Sequence, residues 1–530
     1  MTSAKSSQDA AAAITEAVHL ASGDEPKISK EEALRRITPT LLESVLHTEF
    51  ENDASDIIAT GLGASPGAAS GRIVLSADDA IFSTEDVILV REETSPADVH
   101  GMQVAVGILT TRGGLASHAA VVARGWGKPA VCGADNITIA NDHVLINGER
   151  FNAGEVISID GSSGNVIRGH VETTGIEPPT EISTLLEWAD QFSRVKVRVN
   201  ADTAEEARHG RNNGAQGIGL CRTEHMFLGA ERLPLMVQAI TAEEPEAAKN
   251  ALNNLRERQR EDFSELLQAM EGLPVTIRLL DPPLHEFLPD IENLIRKEVL
   301  SDLDPEESSL LDALRRWQER NPMMGTRGVR LALIKPGLYE MQVEAILEAI
   351  SQRITDGGTP NVEIMVPLTV ASEEMRLMRQ QIESVMAEHA VSVPVKIGSM
   401  IETPRAALIA DQIAEFCDFL SFGTNDLTQM TFGFSRDDIE SKIMRLYLDQ
   451  QLLDENPFEH VDTDAVLELV RIGIERAKNR KSKLSVGICG EHGGDAISIR
   501  RLIDTGVDYV SCSPPRLPIA RLAAGHAALN

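Results

Sequence analysis

The sequence has few cysteines and few basic residues for its length. The cysteines are Cys132, Cys221, Cys417, Cys489 and Cys512. Because they are odd in number, widely spaced and free of CxxC pairs, they argue against a disulfide framework or a zinc site and favour a reducing compartment. The 50 Lys and Arg residues stand against 81 Asp and Glu, a formal net charge of −31. Nucleic acid is therefore not an expected partner, and an anionic substrate needs a local basic pocket.

The sequence also lacks long hydrophobic runs. No apolar stretch approaches the ~18 residues of a membrane span, and the first residues, MTSAKSSQDAAAAITEA, lack the basic-then-apolar order of a signal peptide. We therefore expect a cytoplasmic protein with no membrane partner. The 530 residues, 42% of them hydrophobic, are enough to form several domains.

The first part of the chain divides into three segments. Residues 1–57 predict an N-terminal tail, Ala/Ser-rich to about residue 27, and short helices that Pro39 interrupts. Residues 58–170 contain short β-branched runs separated by Gly and Asp, which indicate a compact β-rich domain with one helix after Ser117. Residues 171–194 lack strong periodicity and carry a Pro-Pro step, so they predict a linker between two bodies that move.

Residues 195–530 alternate between strand-like and helix-like segments. The buried-strand candidates are VKVRVN (195–200), GIGLCR (217–222), VTIRLL (275–280), VEIMVP (362–367), KIGSMI (396–401), DFLSFG (418–423), LSVGIC (484–489) and DYVSC (508–512). Eight strands alternating with helices predict a (β/α)8 barrel, and only the strand count separates this fold from a doubly wound sheet. The fold class is therefore α/β. Long connections after the second and third strands indicate insertions.

His118 is the first candidate for chemistry. The segment from Gly107 to Gly133 ends a strand, passes through a Gly-Gly step and begins a helix near Ser117. At the first helical turn, free N–H groups and the positive end of the helix dipole can hold a phosphoryl group. Imidazole is a good nucleophile near pH 7. A histidine that only caps a helix has the same local pattern, so both interpretations stay open at this point.

Unusual polar residues stand where the predicted barrel strands end. They are Arg222, Arg278, Glu402, Asn425, Asp426 and Cys489, with Arg327 on the long third connection. Catalytic groups of (β/α)8 barrels lie at these ends. Arginine forks bind phosphate with two parallel hydrogen bonds, and two carboxylates on neighbouring strands suit Mg²⁺. A thiol can protonate an enolate, but Cys489 and Cys512 both end strands, so spacing does not choose between them.

Three long segments resemble one known family. GILTTRGGLASHAAVVARGWGKPAVCG (107–133), with GLGASPGAASGRIV (61–74) and LVREETSPADVHGM (89–102), is similar to the phosphohistidine domain of the pyruvate, phosphate dikinases. The resemblance extends over residues 28–530. It implies that His118 is phosphorylated and that the substrates are phosphoenolpyruvate (PEP) and pyruvate. Two positions depart from the family pattern: Ala116 replaces a threonine that plant members use for regulation, and Pro515 replaces an aromatic residue.

The resemblance also implies roles for the barrel residues. Arg222, Arg278 and Arg327 would hold PEP. The substrate site would further include Gly423, Thr424 and Asn425, together with Glu402 and Asp426 as ligands of Mg²⁺. The C-G-E triplet, which the dikinases share with the phosphotransferase-system enzyme I family, implies that Cys489 is the acid and that Cys512 packs the fold.

The dikinases have a nucleotide-binding domain ahead of the phosphohistidine domain. Only about 60 residues precede Gly61, so we expect one half-reaction, PEP plus histidine giving pyruvate plus phosphohistidine, with a nucleotide-binding subunit supplied separately. A homodimer is also expected. One alternative is an enzyme I-like donor to a phosphocarrier protein, although residues 58–170 lack the helical docking insert of that family. Another is a non-catalytic PEP sensor, which would have no need of a proton donor.

Overall fold

The computed structural model describes most of the chain. The described residues are 7–50, 56–94, 98–114, 117–174, 178–227, 231–242, 244–281, 283–289, 291–300, 302–389 and 393–529. Among them, no helix is long and apolar enough to cross a bilayer.

The N-terminal segment forms three helices and a short strand: α1 (Ser7–Ala21), α2 (Lys30–Arg36), α3 (Pro39–Ser44) and β1 (Glu49–Phe50). The structure corrects the predicted tail, because residues 7–21 are helical. Ala10, Ile14, Ala17 and Ala21 recur at helical spacing and are buried. They pack in one cluster with α2, α3 and the last helix of the chain. The amphipathic stripe of α1 therefore completes the barrel's outer surface.

The β-rich domain follows. Its strands are β2 (Ile57–Thr60), β3 (Leu62–Ser65), β4 (Ala68–Val74), β5 (Val87–Arg91), β6 (Gly107–Thr110), β7 (Ala130–Cys132), β8 (Ile137–Ile139), β9 (His143–Ile146), β10 (Glu149–Asn152), β11 (Val156–Asp160) and β12 (Asn165–Arg168). Its helices are α4 (Ala77–Phe82), α5 (Val99–Val104) and α6 (His118–Trp126). Eight strands form one sheet in the order β2-β12-β11-β4-β5-β6-β7-β3, and β10-β9-β8 form another. The predicted β-rich domain with a helix after Ser117 is confirmed.

The chain enters and leaves this domain through a two-stranded ribbon. Strand β13 (Thr173–Thr174) pairs antiparallel with β1, so that Glu49 lies opposite Thr174 and Phe50 opposite Thr173. Helix α7 (Glu181–Phe192) comes next, inside the segment predicted as a linker. Its buried face packs on the last helix of the chain, and Asp190 accepts a hydrogen bond from Arg521 at 2.6 Å. The part of the predicted linker from 181 onward is therefore attached to the barrel.

Eight parallel strands close into a barrel in sequence order, as predicted. They are β14 (Lys196–Asn200), β15 (Ile218–Arg222), β16 (Pro274–Arg278), β17 (Asn361–Val366), β18 (Lys396–Ile401), β19 (Phe419–Phe422), β20 (Ser485–Ile488) and β21 (Tyr509–Cys512). The closure excludes the open-sheet alternative. The largest core cluster lies between these strands and the surrounding helices, and a smaller cluster of five residues, Leu220, Met365, Met400, Phe419 and Cys489, lies on alternate strand positions inside the barrel.

The barrel helices include two insertions. Outside these insertions, the helices of the barrel are α8 (Ala204–Asn212), α16 (Ser372–His389), α17 (Pro404–Leu408), α18 (Ala410–Ala414), α19 (Thr424–Phe432), α20 (Arg436–Lys442), α21 (Met444–Asp449), α22 (Val466–Arg480), α23 (Ala496–Ile503) and α24 (Leu517–Ala528). The connections after β15 and β16, predicted to be long, carry α9 (Leu233–Thr241), α10 (Pro245–Ala269), α11 (Leu284–Phe287), α12 (Ile291–Val299), α13 (Pro305–Trp317), α14 (Val329–Ile334) and α15 (Leu338–Thr355).

Candidate active site

The three predicted arginines lie at the carboxyl ends of the barrel strands, each paired with carboxylates. Arg222 ends β15, and its guanidinium donates to Asp202 Oδ2 at 3.1 and 2.9 Å. Arg278 ends β16, where it forms ion pairs with Glu224 and, at 3.3 Å, with Asp281. Burial by itself lowers the pKa of Arg278, but the charges of Glu224 and Asp281 outweigh it and raise that pKa well above its usual value. Both cations therefore stay charged.

Arg327 joins two of these groups. It is buried and donates to Asp281 at 3.0 and 2.7 Å and to Asp426 at 3.0 and 3.3 Å. The short turn around Gly328 brings Arg327 to this position: a Cβ on Gly328 would lie 2.8 Å from Asp281 Oδ1, and its φ is +57°. Asp281 thus lies between two arginines and holds them side by side at the barrel mouth.

Glu402, which follows β18, is fully buried. Its Oε1 accepts a hydrogen bond of 2.6 Å from the backbone N–H of Leu368. Leu368 has a φ of +53°, a strained conformation for a leucine, and this backbone turn directs its N–H to Glu402. Burial, with the negative charges of Asp281 and Asp426, raises the pKa of Glu402 to about 8. Gly423 leaves room for this carboxyl, because a Cβ there would lie 2.7 Å from Glu402 Oε2.

The described residues do not include three or more His, Cys, Asp or Glu side chains arranged as a complete metal site. Glu402 and Asp426 nevertheless fit Mg²⁺, which commonly takes one or two protein carboxylates and completes its shell with water and substrate phosphate oxygens. Burial first, and then the charges of Asp281 and Asp426, disfavour the charged form of Glu402 and raise its pKa. A divalent cation bound to this carboxylate would favour the charged form.

Thr424 and Asn425 begin α19 and contact the loop after β20. Thr424 Oγ1 lies 2.8 Å from His492 Nδ1, and Asn425 Oδ1 accepts from the Glu491 N–H at 3.0 Å. Between them lies Gly490, where a Cβ would be 1.9 Å from Thr424 Oγ1. Only glycine permits this approach, so the C-G-E triplet fixes the distance between the two loops.

The two strand-end cysteines lie on opposite sides of the barrel wall. Cys489 belongs to the interior cluster, and its Sγ–H donates to Phe422 O at 3.5 Å. Burial, together with the charge of Glu402, raises the pKa of its thiol to about 12, and the charges of Arg278 and Arg222 oppose this. Cys512 belongs to the large core cluster between strands and helices. Of the two, only Cys489 lies beside the arginines.

His118 is the first residue of α6, as predicted. Ser117 is the N-cap, and its Oγ accepts from Ala120 N at 3.4 Å. The side chain of His118 and residue Ala116 lie outside the described part of the chain. Helix α6 packs against the turn Pro514–Arg516 that follows β21. The helix that carries the predicted phosphoryl acceptor therefore contacts the same end of the barrel as the arginines.

Sequence reasoning missed the acidic partners of the site, Asp202, Glu224 and Asp281. Each lies within a few residues of a strand end, and Glu224 and Asp281 are each within three residues of an arginine that was identified. The rule that selected the arginines would also have selected these residues. A buried arginine needs a carboxylate partner, and this requirement is the signal that could have found them.

Comparison with known families matches both parts of this architecture. Residues 83–164 match the PEP-utilising enzyme mobile domain, and residues 179–529 match the PEP-utilising enzyme PEP-binding domain. The first range lies within the β-rich domain. The second covers α7 together with the complete barrel, in agreement with the packing of α7 on α24.

Three similar proteins are pyruvate, phosphate dikinases. The chain is 49% identical over 521 residues to that of Rhizobium meliloti (strain 1021), covering 96% of this chain and 58% of the relative. It is 47% identical over 521 residues to chloroplastic pyruvate, phosphate dikinase 1 of Oryza sativa subsp. japonica (96% and 55%) and 47% over 514 residues to that of Arabidopsis thaliana (94% and 53%). The chain spans about half the length of these relatives. Its two matched domains and its barrel show that it belongs to the PEP-utilising enzymes.

Proposed function

We propose that this chain catalyses reversible phosphoryl transfer from PEP to His118, giving pyruvate and phosphohistidine. One observation carries the proposal: Arg222, Arg278 and the buried thiol of Cys489 meet at the end of the barrel that α6 contacts. The match of residues 179–529 to a PEP-binding domain and the names of the relatives, pyruvate, phosphate dikinases, support PEP and pyruvate as substrates.

The arginines bind and orient the phosphate. In the transfer, the bond between phosphorus and the enol oxygen of PEP breaks while a bond to an imidazole nitrogen of His118 forms. Charge spreads over the equatorial phosphoryl oxygens, and guanidinium forks stabilise it by paired hydrogen bonds. Mg²⁺, held by Glu402 and Asp426, would supply further positive charge at the phosphate and carboxylate oxygens when bound.

Cys489 completes the conversion to pyruvate. The departing enolate takes a proton at its methylene carbon, and the thiol of Cys489 provides it. A pKa of about 12 keeps this thiol protonated at neutral pH, and its position in an apolar interior cluster keeps water from competing for the enolate.

The onward donor or acceptor of the phosphoryl group is a separate proposal. Because the relatives are dikinases of about twice the matched length, a nucleotide-binding domain or subunit is our first choice. An enzyme I-like phosphocarrier partner has less support, since α4, α5 and α6, the helices described in the β-rich domain, are each of nine residues or fewer. All five cysteines are buried and unpaired, which supports a reducing, cytoplasmic environment.

The test is labelling of the purified chain with ³²P-PEP and Mg²⁺. We expect an acid-labile, base-stable adduct at His118, lost in His118→Ala and retained in His100→Ala, a control in the same domain. An acid-stable adduct, or label that persists in His118→Ala, would show that another residue accepts the phosphoryl group.

A further inference from the structure

The barrel mouth carries an ionic cluster that the proposed chemistry does not use. Arg436, on α20, donates to Glu440 at 3.3 Å and to both oxygens of Glu491 at 3.2 Å, and it lies over the ring of Phe458. Glu440 accepts a further hydrogen bond from Asn456 at 3.0 Å. Arg436 therefore faces the two carboxylates of Glu440 and Glu491, and a second cation lies nearby.

Helix α6 of the β-rich domain lies against the rim beside this cluster. A Cβ on Gly114, in the loop before α6, would lie 3.4 Å from the carbonyl oxygen of Glu440. A Cβ on Gly127, which caps the C-terminus of α6, would lie 3.1 Å from Pro515. Glycine thus stands in the loop before α6 and at its C-terminal cap, the two points where this segment meets the barrel.

Arg124, in the last turn of α6, is the second cation. It is half-buried and donates to Ala64 O at 2.8 Å, which orients its guanidinium. Burial lowers the pKa of Arg124, and the negative charge of Glu491 is the largest effect that opposes this. In return, Arg436 and Arg124 outweigh burial and lower the pKa of Glu491 to about 2.

We propose that Glu491, Arg436 and Glu440 form an electrostatic docking contact for Arg124, which holds α6 over the barrel mouth in the position for phosphoryl transfer. Arg124 and Glu491 act as positioning residues. The inference rests on the proposed role of His118, since docking of α6 brings its first residue to the PEP site.

The contact also reaches the substrate loops. Glu491 donates its N–H to Asn425 Oδ1 and stands two residues after Cys489. Gly490 between them is locked against Thr424. Docking of Arg124 onto Glu491 therefore acts on the loop that carries Cys489, the proposed proton donor. In this way the approach of His118 and the position of the thiol are coupled.

The experiment compares Arg124→Gln, Glu491→Gln and the double variant with the wild type, by three measurements. These are the rate of His118 labelling at saturating PEP, the Kd for PEP by calorimetry, and amide hydrogen exchange at Arg516 and Leu517, which follow the two prolines of the turn that α6 contacts. Arg124→Lys keeps the charge. Arg150→Gln is the matched control, because Arg150 is an exposed arginine of the same domain, on β10, paired with Asp142.

We expect Arg124→Gln and Glu491→Gln each to slow labelling by about tenfold or more, with faster exchange at Arg516 and Leu517 and an unchanged Kd for PEP in Arg124→Gln. The double variant should be no slower than the slower single variant. Arg124→Lys should recover most of the rate, added salt should slow the wild type more than Arg124→Gln, and the control should match the wild type.

The inference would be overturned if Arg124→Gln were labelled and exchanged its amides at the wild-type rates. It would also be overturned if the rate losses of the two single variants multiplied in the double variant. If Arg124→Lys were labelled as slowly as Arg124→Gln, the cause would be a general loss of stability and not a loss of charge, and this result would also overturn the inference. If the wild type is not labelled at all, the proposed function fails, and the exchange measurement still decides whether Arg124 docks the helix.

Discussion

Arg327 donates to Asp426 Oδ1 at 3.0 Å, so a cation predicted to hold PEP is joined directly to a carboxylate predicted to hold Mg²⁺. Arg327 uses on Asp426 N–H groups that PEP would otherwise accept from, and Asp426 uses on Arg327 oxygens that Mg²⁺ would otherwise bind. Asp281 accepts from the same guanidinium at 2.7 Å, so Arg327 has a second carboxylate partner besides Asp426. The residues proposed to bind the substrate and the metal therefore form one connected set of charges.

The first prediction follows from this connection. Arg327→Lys should raise the KM for PEP and slow labelling by about 10²-fold or more, because an ammonium cannot form the paired hydrogen bonds of the guanidinium fork. The measurement is PEP-dependent labelling at several Mg²⁺ concentrations. Arg320→Lys, an exposed arginine of the same connection, is the control. Equal kinetics in the two variants would remove Arg327 from the site.

The second prediction separates the two strand-end cysteines. Cys489→Ala should lower the rate of pyruvate formation by ~10²–10⁴-fold, the usual cost of losing a general acid. Cys512→Ala should retain most of the activity and lose on the order of 1 kcal/mol of stability, because it removes one buried sulfur from the packed core. The reverse pattern would place the acid on β21.

The third prediction concerns Gly490. A methyl group there would lie 1.9 Å from Thr424 Oγ1, so Gly490→Ala must move the loop that carries Cys489. We expect a loss of about 1–3 kcal/mol in stability and about 10²-fold in activity. Gly125→Ala, in α6 with open space around the added methyl, should keep activity and be neutral or slightly stabilising. Urea unfolding and pyruvate formation measure the two effects.

The fourth prediction is a pH dependence of stability. Burial lowers the pKa of His492 to about 4, and the hydrogen bonds to Thr424 Oγ1 and Pro457 O fit a neutral ring that accepts at Nδ1 and donates at Nε2. In the unfolded state the pKa of His492 is near 6.5, so between about pH 6.5 and 4 the unfolded state binds a proton that the folded state does not. The stabilisation of the folded protein by neutral His492 is therefore complete above about pH 6.5 and declines as the pH falls toward 4.

The measurement compares unfolding of the wild type and of His492→Asn between pH 4 and 8. The free-energy difference between them should shrink as the pH is lowered, by on the order of 3 kcal/mol in total. A difference that is constant over this range would mean that His492 does not titrate differently on folding.

The barrel was predictable because its strands are short apolar runs between helical segments, and parallel strands buried on both faces leave that pattern. The strand-end rule then found Arg222, Arg278 and Glu402. It could not predict the contact between Arg327 and Asp426, because the two residues are 99 positions apart in sequence. Proximity of this kind depends on closure of the barrel, which local pattern does not encode.

The N-terminal helix was missed for a different reason. An Ala-rich segment such as residues 10–21 is compatible with a tail, a linker or a helix. Its helical stripe becomes decisive only against a partner surface, here Leu185 of α7 and Leu522 of α24. The ionic cluster around Arg436 was missed because Arg436 and Glu491 look like ordinary surface charges in sequence, and only the fold brings them together.

The ribbon of β1 and β13 has a consequence for how the molecule is assembled. Phe50 lies opposite Thr173, so the points where the chain departs from and returns to the barrel are neighbours across one strand pair, about 5 Å apart. The β-rich domain is thus an insertion whose removal leaves two ends that a few glycines can rejoin. Such a spliced chain would keep α1 against α7 and α24, and would present the proposed PEP site without the proposed phosphoryl acceptor.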